Sequence, residues 1–436
     1  MRQKPSRPRL LQAMFDAFSL PDLRRRILIT VGILVAFRFI AHVPMPGVNP
    51  LILKDLFEKN ALLGMLDLFS GGAMRQFSVA SMGVYPYITA SIIIILLVPT
   101  IPKLQALSQE GESGRNKINL ITHWLTVPLA GLSGYGQMVL LQRAGAISST
   151  SLLPTMAMVL SLIAGTIFLV WLGELITEYG IGNGISIIIF GGIVAGYPTL
   201  IQEGFLAKGN PMGLIVYIVI VLITVVLIVI FTEAHRRIPV QYARSVFRGG
   251  RMYRQSGTTH IPMRVNSSGM IPLIFSMSVV MFPGIVASYF VRPNIPGFAD
   301  TIVRWFSPNT PLPEGAFYWL LYFALSVGFT FFYTIITYQQ QDLPGTLQKQ
   351  GGFIPGIRPG KNTASYLSGV TNRITWAGAL FLAFVAIMPF LARTVTNVQQ
   401  IQISSLGMLI VVGVILDTMK QLEAQLVMRR YEGFIK

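Results

Sequence analysis

No cysteine occurs anywhere in the chain. Disulfides, thiolate zinc sites, iron–sulfur clusters and a cysteine nucleophile are therefore excluded, and redox chemistry gives no hint of compartment. Charge is scarce as well. Only 12% of the residues are charged, against about 25% in an ordinary soluble domain. The four histidines, His42, His123, His235 and His260, are scattered without ligand spacing, so no metal site is expected. A Walker-type phosphate loop, an HExxH pair and a GxSxG elbow are all missing. The expectation is a chain that carries no cofactor and is not an enzyme.

What is abundant is apolar surface, since 53% of the 436 residues are hydrophobic. About 20 mostly apolar residues in helical form cross a bilayer core. Ten segments meet that need: 26–42, 77–97, 119–141, 154–176, 184–202, 212–232, 268–290, 316–338, 374–392 and 401–421. The fold class expected is all-α, a polytopic membrane protein of ten transmembrane helices. Arg24-Arg25-Arg26 precedes the first segment and no small-residue cleavage site follows, so it reads as a retained helix. The fifth is the most interrupted, by Gly184, Gly191, Gly192, Gly196 and Pro198. A further apolar run, Leu62-Leu63-Gly64-Met65-Leu66-Asp67-Leu68-Phe69, is too short to span and is broken by Ser70-Gly71-Gly72. Its length fits a helix lying on the membrane surface or one tucked into a cavity.

The net charge of +17 acquires meaning from its placement. With the N-terminus taken as cytoplasmic, 25 of the 34 lysines and arginines fall on the cytoplasmic side and eight on the other, and Arg38 lies inside the first span. That bias predicts both termini in the cytoplasm, as an even number of spans requires. Two long basic loops stand out on that side. One, 233–267, holds seven arginines and a single acid; the other, 339–373, holds four basic residues and one acid. The outer loop 291–315 carries five prolines and reads as an extended connector.

Ionisable residues inside a membrane usually mark ion or proton paths. The second, sixth, seventh, eighth and ninth spans contain none. Glu174, Asp417 and Lys420 sit near cytoplasmic span ends, where their side chains can reach water. A proton-coupled pump is thereby disfavoured, although a sodium site built from backbone carbonyls stays open. The glycines around the fifth span serve close helix packing or a broken helix beside a cavity.

Three motifs carry a family resemblance: Tyr87-Ile88-Thr89-Ala90-Ser91-Ile92-Ile93-Ile94, Gly180-Ile181-Gly182-Asn183-Gly184-Ile185-Ser186-Ile187-Ile188-Ile189-Phe190, and Gly351-Gly352-Phe353-Ile354-Pro355-Gly356-Ile357-Arg358-Pro359-Gly360. They resemble the SecY family of protein-conducting channels, in the right order and over nearly the whole chain. The resemblance implies two pseudo-symmetric inverted five-helix halves, 1–205 and 206–436, around a central pore. It implies an aliphatic pore ring of Val84, Ile88, Ile185, Ile189, Ile274 and Ile410. Residues 84 and 88, like 185 and 189, are i,i+4 pairs that share a helix face; spacing alone would equally fit ordinary core or lipid-facing positions. The segment about 61–76 resembles the family's plug, with Leu62, Leu63, Met65, Leu66, Leu68 and Phe69 as its body and Gly71-Gly72 as its hinge. A lateral gate would involve Thr89, Ile92 and Phe282.

By the same resemblance, Arg236, Arg237, Arg244 and Arg358 would meet the ribosome and the motor ATPase SecA. Small SecE and SecG subunits would be partners, as would signal peptides, nascent polypeptides and membrane lipids. The location implied is the bacterial cytoplasmic membrane. For a single arginine, topology and attraction to anionic lipid are sufficient reasons; Arg358 differs because Gly356-Ile357 and Pro359-Gly360 hold it in a stiff turn. Two other readings remain at this level: a secondary transporter for a small solute and a membrane anchor for an RNA-binding assembly. The first lacks intramembrane charge, and the second leaves the short apolar segment unexplained.

Overall fold

The computed structural model describes residues 18, 20–59, 67, 70–147, 151–206, 211–248, 251–288, 290, 297–308, 310, 314–396 and 405–435. Helices occur at all ten expected places. They are α1 (Pro21–Ala41), α3 (Tyr85–Leu97), α5 (Glu112–Arg143), α6 (Leu152–Tyr179), α7 (Gly184–Leu206), α8 (Pro211–Glu233), α9 (Ile271–Ser288), α11 (Glu314–Gln341), α13 (Lys361–Thr396) and α14 (Ser405–Ile435). Shorter helices lie between them: α2 (Pro50–Lys59), α4 (Pro102–Gln109), α10 (Phe298–Trp305) and α12 (Leu343–Lys349). Proline opens several of these helices, at a position where its missing N–H costs nothing.

The second helix is shorter than its sequence suggests. Hydropathy extends it back to residue 77, but the helix starts at Tyr85. Phe77 and Gly83 take φ of 42° and 55°, values no right-handed helix accommodates. Thirteen helical residues rise only about 20 Å, short of a ~30 Å hydrocarbon core. Beyond Leu97 the chain bends by 100° into α4. Among the described residues, four helices are individually long and apolar enough to cross a membrane, beginning at Leu152, Ile215, Gly315 and Lys361. Of the outer loop read as an extended connector, residues 298–305 form α10 instead.

The chain divides into two compact units. One comprises Met1–Gly209, Pro283–Thr310 and Gln399–Lys436; the other comprises Asn210–Phe282 and Pro311–Val398. The boundary falls inside α9, at Pro283, where the helix loses a backbone donor.

In the first unit, Met45, Leu53, Phe77, Met82, Met138, Leu141, Ile147 and Leu162 build one apolar core. A smaller cluster, Leu23, Ile181 and Leu422, ties α1, the turn before α7 and α14 together. The second unit contains the fold's main departure from helix. Strands β1 (His235–Arg248) and β2 (Arg251–Arg264) pair along their whole length, with His235 opposite Arg264 and Arg248 opposite Arg251. A two-residue strand, β3 (Gly352–Phe353), adds to the other side of β1 at Gln241 and Tyr242. The two basic loops are therefore one structure. Ile238, Val240 and Met263 of the hairpin pack with Leu347, Ile354, Leu367 and Val370 in a shared core.

Candidate functional site

The six aliphatic positions are distributed over both units. Val84, Ile88, Ile185, Ile189 and Ile410 belong to the first and Ile274 to the second. Val84 precedes α3 as its N-cap and Ile88 stands one turn on, its N–H donating to the Val84 carbonyl at 3.0 Å. Val84, Ile189, Ile274 and Ile410 are buried, at 0%, 4%, 4% and 0% exposure, and Ile88 and Ile185 are half-buried. Ile185 also packs on Gly173 of α6: a methyl placed at Gly173 would meet its Cδ1. Of the proposed gate residues, Thr89 returns its hydroxyl to the Tyr85 carbonyl at 3.1 Å. Ile92 is buried and Phe282 is 66% exposed.

The glycine-rich turn before α7 is held from three sides. Asn183 caps the helix, its Oδ1 accepting the Ser186 N–H at 3.1 Å and its carbonyl the Ile187 N–H at 3.0 Å. Thr177 Oγ1 accepts the Gly184 N–H at 2.9 Å, and Thr30 Oγ1 of α1 accepts the Ile181 N–H at 3.2 Å. Gly182 has φ +85°, and a Cβ on Gly184 would run into the Gly173 carbonyl. The motif is thus a positioning turn that delivers Ile185 and Ile189 at a fixed point of α7.

Leu62, Leu63, Met65, Leu66, Leu68 and Phe69 lie outside the described residues. Asp67, Ser70 and the glycine pair do not. Gly71 and Gly72 take φ of 66° and 85°, a left-handed pair that side chains rarely tolerate. The buried Asp67 Oδ1 accepts the N–H groups of Met74 at 3.1 Å and Arg75 at 3.2 Å and the Ser70 hydroxyl at 3.1 Å, while Oδ2 takes Arg75 Nε at 2.9 Å. Burial pushes the Asp67 carboxyl above the usual carboxylate range, and Arg75, Ser70 and the backbone donors pull it partly back.

Sequence reasoning missed a polar network that joins three helices. Tyr87 of α3 donates to Asn119 Oδ1 at 3.1 Å, and Asn119 Nδ2 donates to Glu174 Oε1 at 3.3 Å. His123 Nε2 lies 3.1 Å from the same oxygen. Glu174 is therefore engaged with α5 rather than simply reaching for water. The partners are 55 residues apart in the chain, and no local pattern announces them.

In the second unit, Arg236, Arg237 and Arg358 are exposed. Arg244 lies on β1, opposite Gln255. Arg358 sits between Gly356 and Gly360, at φ of 82° and 102°. Its carbonyl accepts the Thr363 hydroxyl at 3.0 Å, which fixes the turn to the start of α13. Pairing of β3 with β1 places this turn and the base of the hairpin on one body. Among the described residues, no cluster of histidine and carboxylate fit for a metal exists.

Comparison with known proteins agrees with this architecture. The family model described as SecY matches residues 78–419. The protein translocase subunit SecY of Streptomyces scabiei is 40% identical over 448 residues, covering 98% of this chain and all of that one. A solved structure of a SecY protein, whose plug domain stabilises the closed state of the translocation channel and maintains a membrane seal, superposes with a TM-score of 0.63 at 16% identity, covering 93% of this chain and 92% of that one. Sec61 in the canine ribosome-channel complex from the endoplasmic reticulum gives a TM-score of 0.60 at 16% identity, with 93% of each chain covered. The ten helices, their order and the match over most of the sequence make this chain a member of the SecY family of membrane channels.

Proposed function

We propose that the chain is the channel subunit of a bacterial Sec translocase. It passes unfolded secretory polypeptides across the cytoplasmic membrane and releases apolar segments sideways into lipid. Both termini are cytoplasmic in this reading, and the two halves, 1–205 and 206–436, are inverted counterparts. The observation that carries it is the placement of family motifs on the elements just described. Aliphatic Val84, Ile88, Ile185, Ile189, Ile274 and Ile410 stand at helix starts and within helices, and a capped, glycine-packed turn fixes Ile185 and Ile189.

An aliphatic ring suits the task. A small ion entering it loses hydration without gaining ligands. An extended polypeptide fills it and is held by many weak dispersion contacts that ignore sequence. Thr89, Ile92 and Phe282 would line the lateral gate, where a segment of about 20 apolar residues partitions into lipid. Residues 62–72 would act as the plug. Energy comes from outside, from SecA or a translating ribosome meeting Arg236, Arg237, Arg244 and Arg358. Basic loops gain affinity for ribosomal RNA through phosphate contacts and counterion release, and the ribosome-bound neighbour supports that partner. SecE and SecG complete the complex.

Site-specific photo-cross-linking tests this directly. With SecA, ATP and a secretory protein stalled midway, probes at Ile88 and Ile274 form adducts to the translocating segment only when ATP is supplied. If translocation proceeds with no adduct at either position, the ring assignment fails. A reconstituted complex that transports nothing, while accumulating a small solute, would transfer the chain to the transporter class.

A further inference from the structure

Arg38 is a basic residue inside an apolar helix, at the last turn of α1, and such residues are retained for a reason. Its Nη1 donates a 2.7 Å hydrogen bond to the carbonyl of Gly71. That carbonyl belongs to the peptide joining Gly71 to Gly72, the two successive left-handed residues. Turning the chain about this peptide swings the carbonyl away from the guanidinium, so the glycine pair cannot rotate while the bond holds.

Two further contacts act on the same residue. A Cβ on Gly71 would fall 2.6 Å from the Cα of Gly192 in α7 and 3.0 Å from the ring of Phe37 in α1. Gly71 is therefore seated backbone to backbone on Gly192, which only two glycines permit. Just beyond, Asp67 closes the turn through Ser70, Met74 and Arg75. The chain after the short apolar segment is pinned at a single peptide, and the pin with formal charge comes from α1.

We infer that Arg38 is a positioning residue, a latch that holds the Gly71–Gly72 hinge in the conformation observed. This rests on reading the glycine pair as the hinge of a plug. A charge-assisted hydrogen bond is roughly twice as strong as a neutral one. Its loss is expected to raise the opening frequency of the hinge about tenfold or more.

The absence of native cysteine makes the test clean. Ala73, fully buried beside the hinge, is changed to Cys in the full chain, assembled with its co-purifying subunits in vesicles. Alkylation by a membrane-impermeant maleimide reads hinge opening, and ion conductance without substrate reads the seal. Arg38→Met is expected to raise both about tenfold, and Arg38→Lys, which keeps one charged donor, to restore most of the protection. An alkylation rate unchanged by Arg38→Met overturns the latch, as does an Arg38→Lys variant no better than Arg38→Met. Should Arg38→Met fail to assemble, Arg38→Gln removes the charge while keeping a polar side chain. Parent-like alkylation in that variant also overturns the proposal. Deleting 62–69 separates the two ideas. If conductance stays at the parent level, the plug reading fails, while the alkylation comparison still judges the latch.

Discussion

Asp67 shows how a single carboxylate can serve structure through its acceptors more than through its charge. Four donors converge on it. Asp67→Asn keeps an oxygen for the Met74 and Arg75 N–H groups and gives up the Arg75 ion pair, whose arginine is half exposed. Such pairs contribute little, up to about 1 kcal/mol. Asp67→Ala strands buried N–H groups and is expected to cost about 1–3 kcal/mol. Thermal unfolding of the purified complex should rank parent and Asn together, well above Ala. The pH dependence has a definite sign. Because the native carboxyl holds its proton above the ordinary value of 3.8, the native state binds more protons than the unfolded chain between the two values. This residue's contribution therefore falls as pH rises through the raised value, and Asp67→Asn should remove that slope from a plot of melting temperature against pH. None of this was legible in Leu62–Gly72, where the aspartate reads as a polar interruption of an apolar run.

The glycines of the α7 region divide sharply when taken as parts of an element. Gly184 lies against the Gly173 carbonyl, whereas Gly196 in the same helix faces open space. Gly184→Ala should displace α7 from α6 and lower the unfolding midpoint markedly, by more than about 3 kcal/mol equivalent. Gly196→Ala should be neutral or stabilise by up to about 1 kcal/mol, since alanine is the better helix former. Helix positions were readable from the sequence because ten long apolar runs admit little else. The hairpin was not. Arg236-Arg237 and Pro239 disturb the period-two pattern on which a strand reading depends, and a loop rich in arginine looks merely basic. One signal was present. Gly249-Gly250 separates Arg248 from Arg251, the two-residue spacing of a tight hairpin. The start of α3 was misplaced for the opposite reason: apolar residues 77–84 continue the hydropathy but not the helix, since Phe77 and Gly83 have positive φ.

For the whole molecule, family membership and buried aliphatic positions lead to predictions that unfolding assays cannot read. Ile274→Asn, at a buried position in α9, should loosen the seal and relax the demand for a good signal sequence, measured as export of a reporter with a defective signal. Equal export by parent and variant would remove Ile274 from the ring. Arg358→Glu should impair motor- or ribosome-driven transport while the complex still assembles, measured as transport rate per purified complex, and ribosome binding should lose part of its salt dependence. As ring candidates, Ile88, Ile185 and Ile189 were legible because they stand in recognisable motifs, and Val84, Ile274 and Ile410 were legible through the family resemblance. Arg38, Asp67 and the Tyr87–Asn119–Glu174–His123 network were not, because their partners are distant in sequence and their roles appear only when helices meet.

The pairing scheme of the second unit has a metrical consequence. β3 touches β1 only at Gln241 and Tyr242, and the shared core is anchored at Ile238 and Val240. Six register pairs, from Ala243 opposite Ser256 to Arg248 opposite Arg251, lie beyond that anchorage. At about 3.3 Å per residue they make a ribbon of roughly 20 Å, graduated like a ruler. Excising opposed pairs shortens it one division at a time and leaves the Arg358 turn where it is. A partner that needs both surfaces would register such trimming as a change of distance, with chemistry and fold held constant.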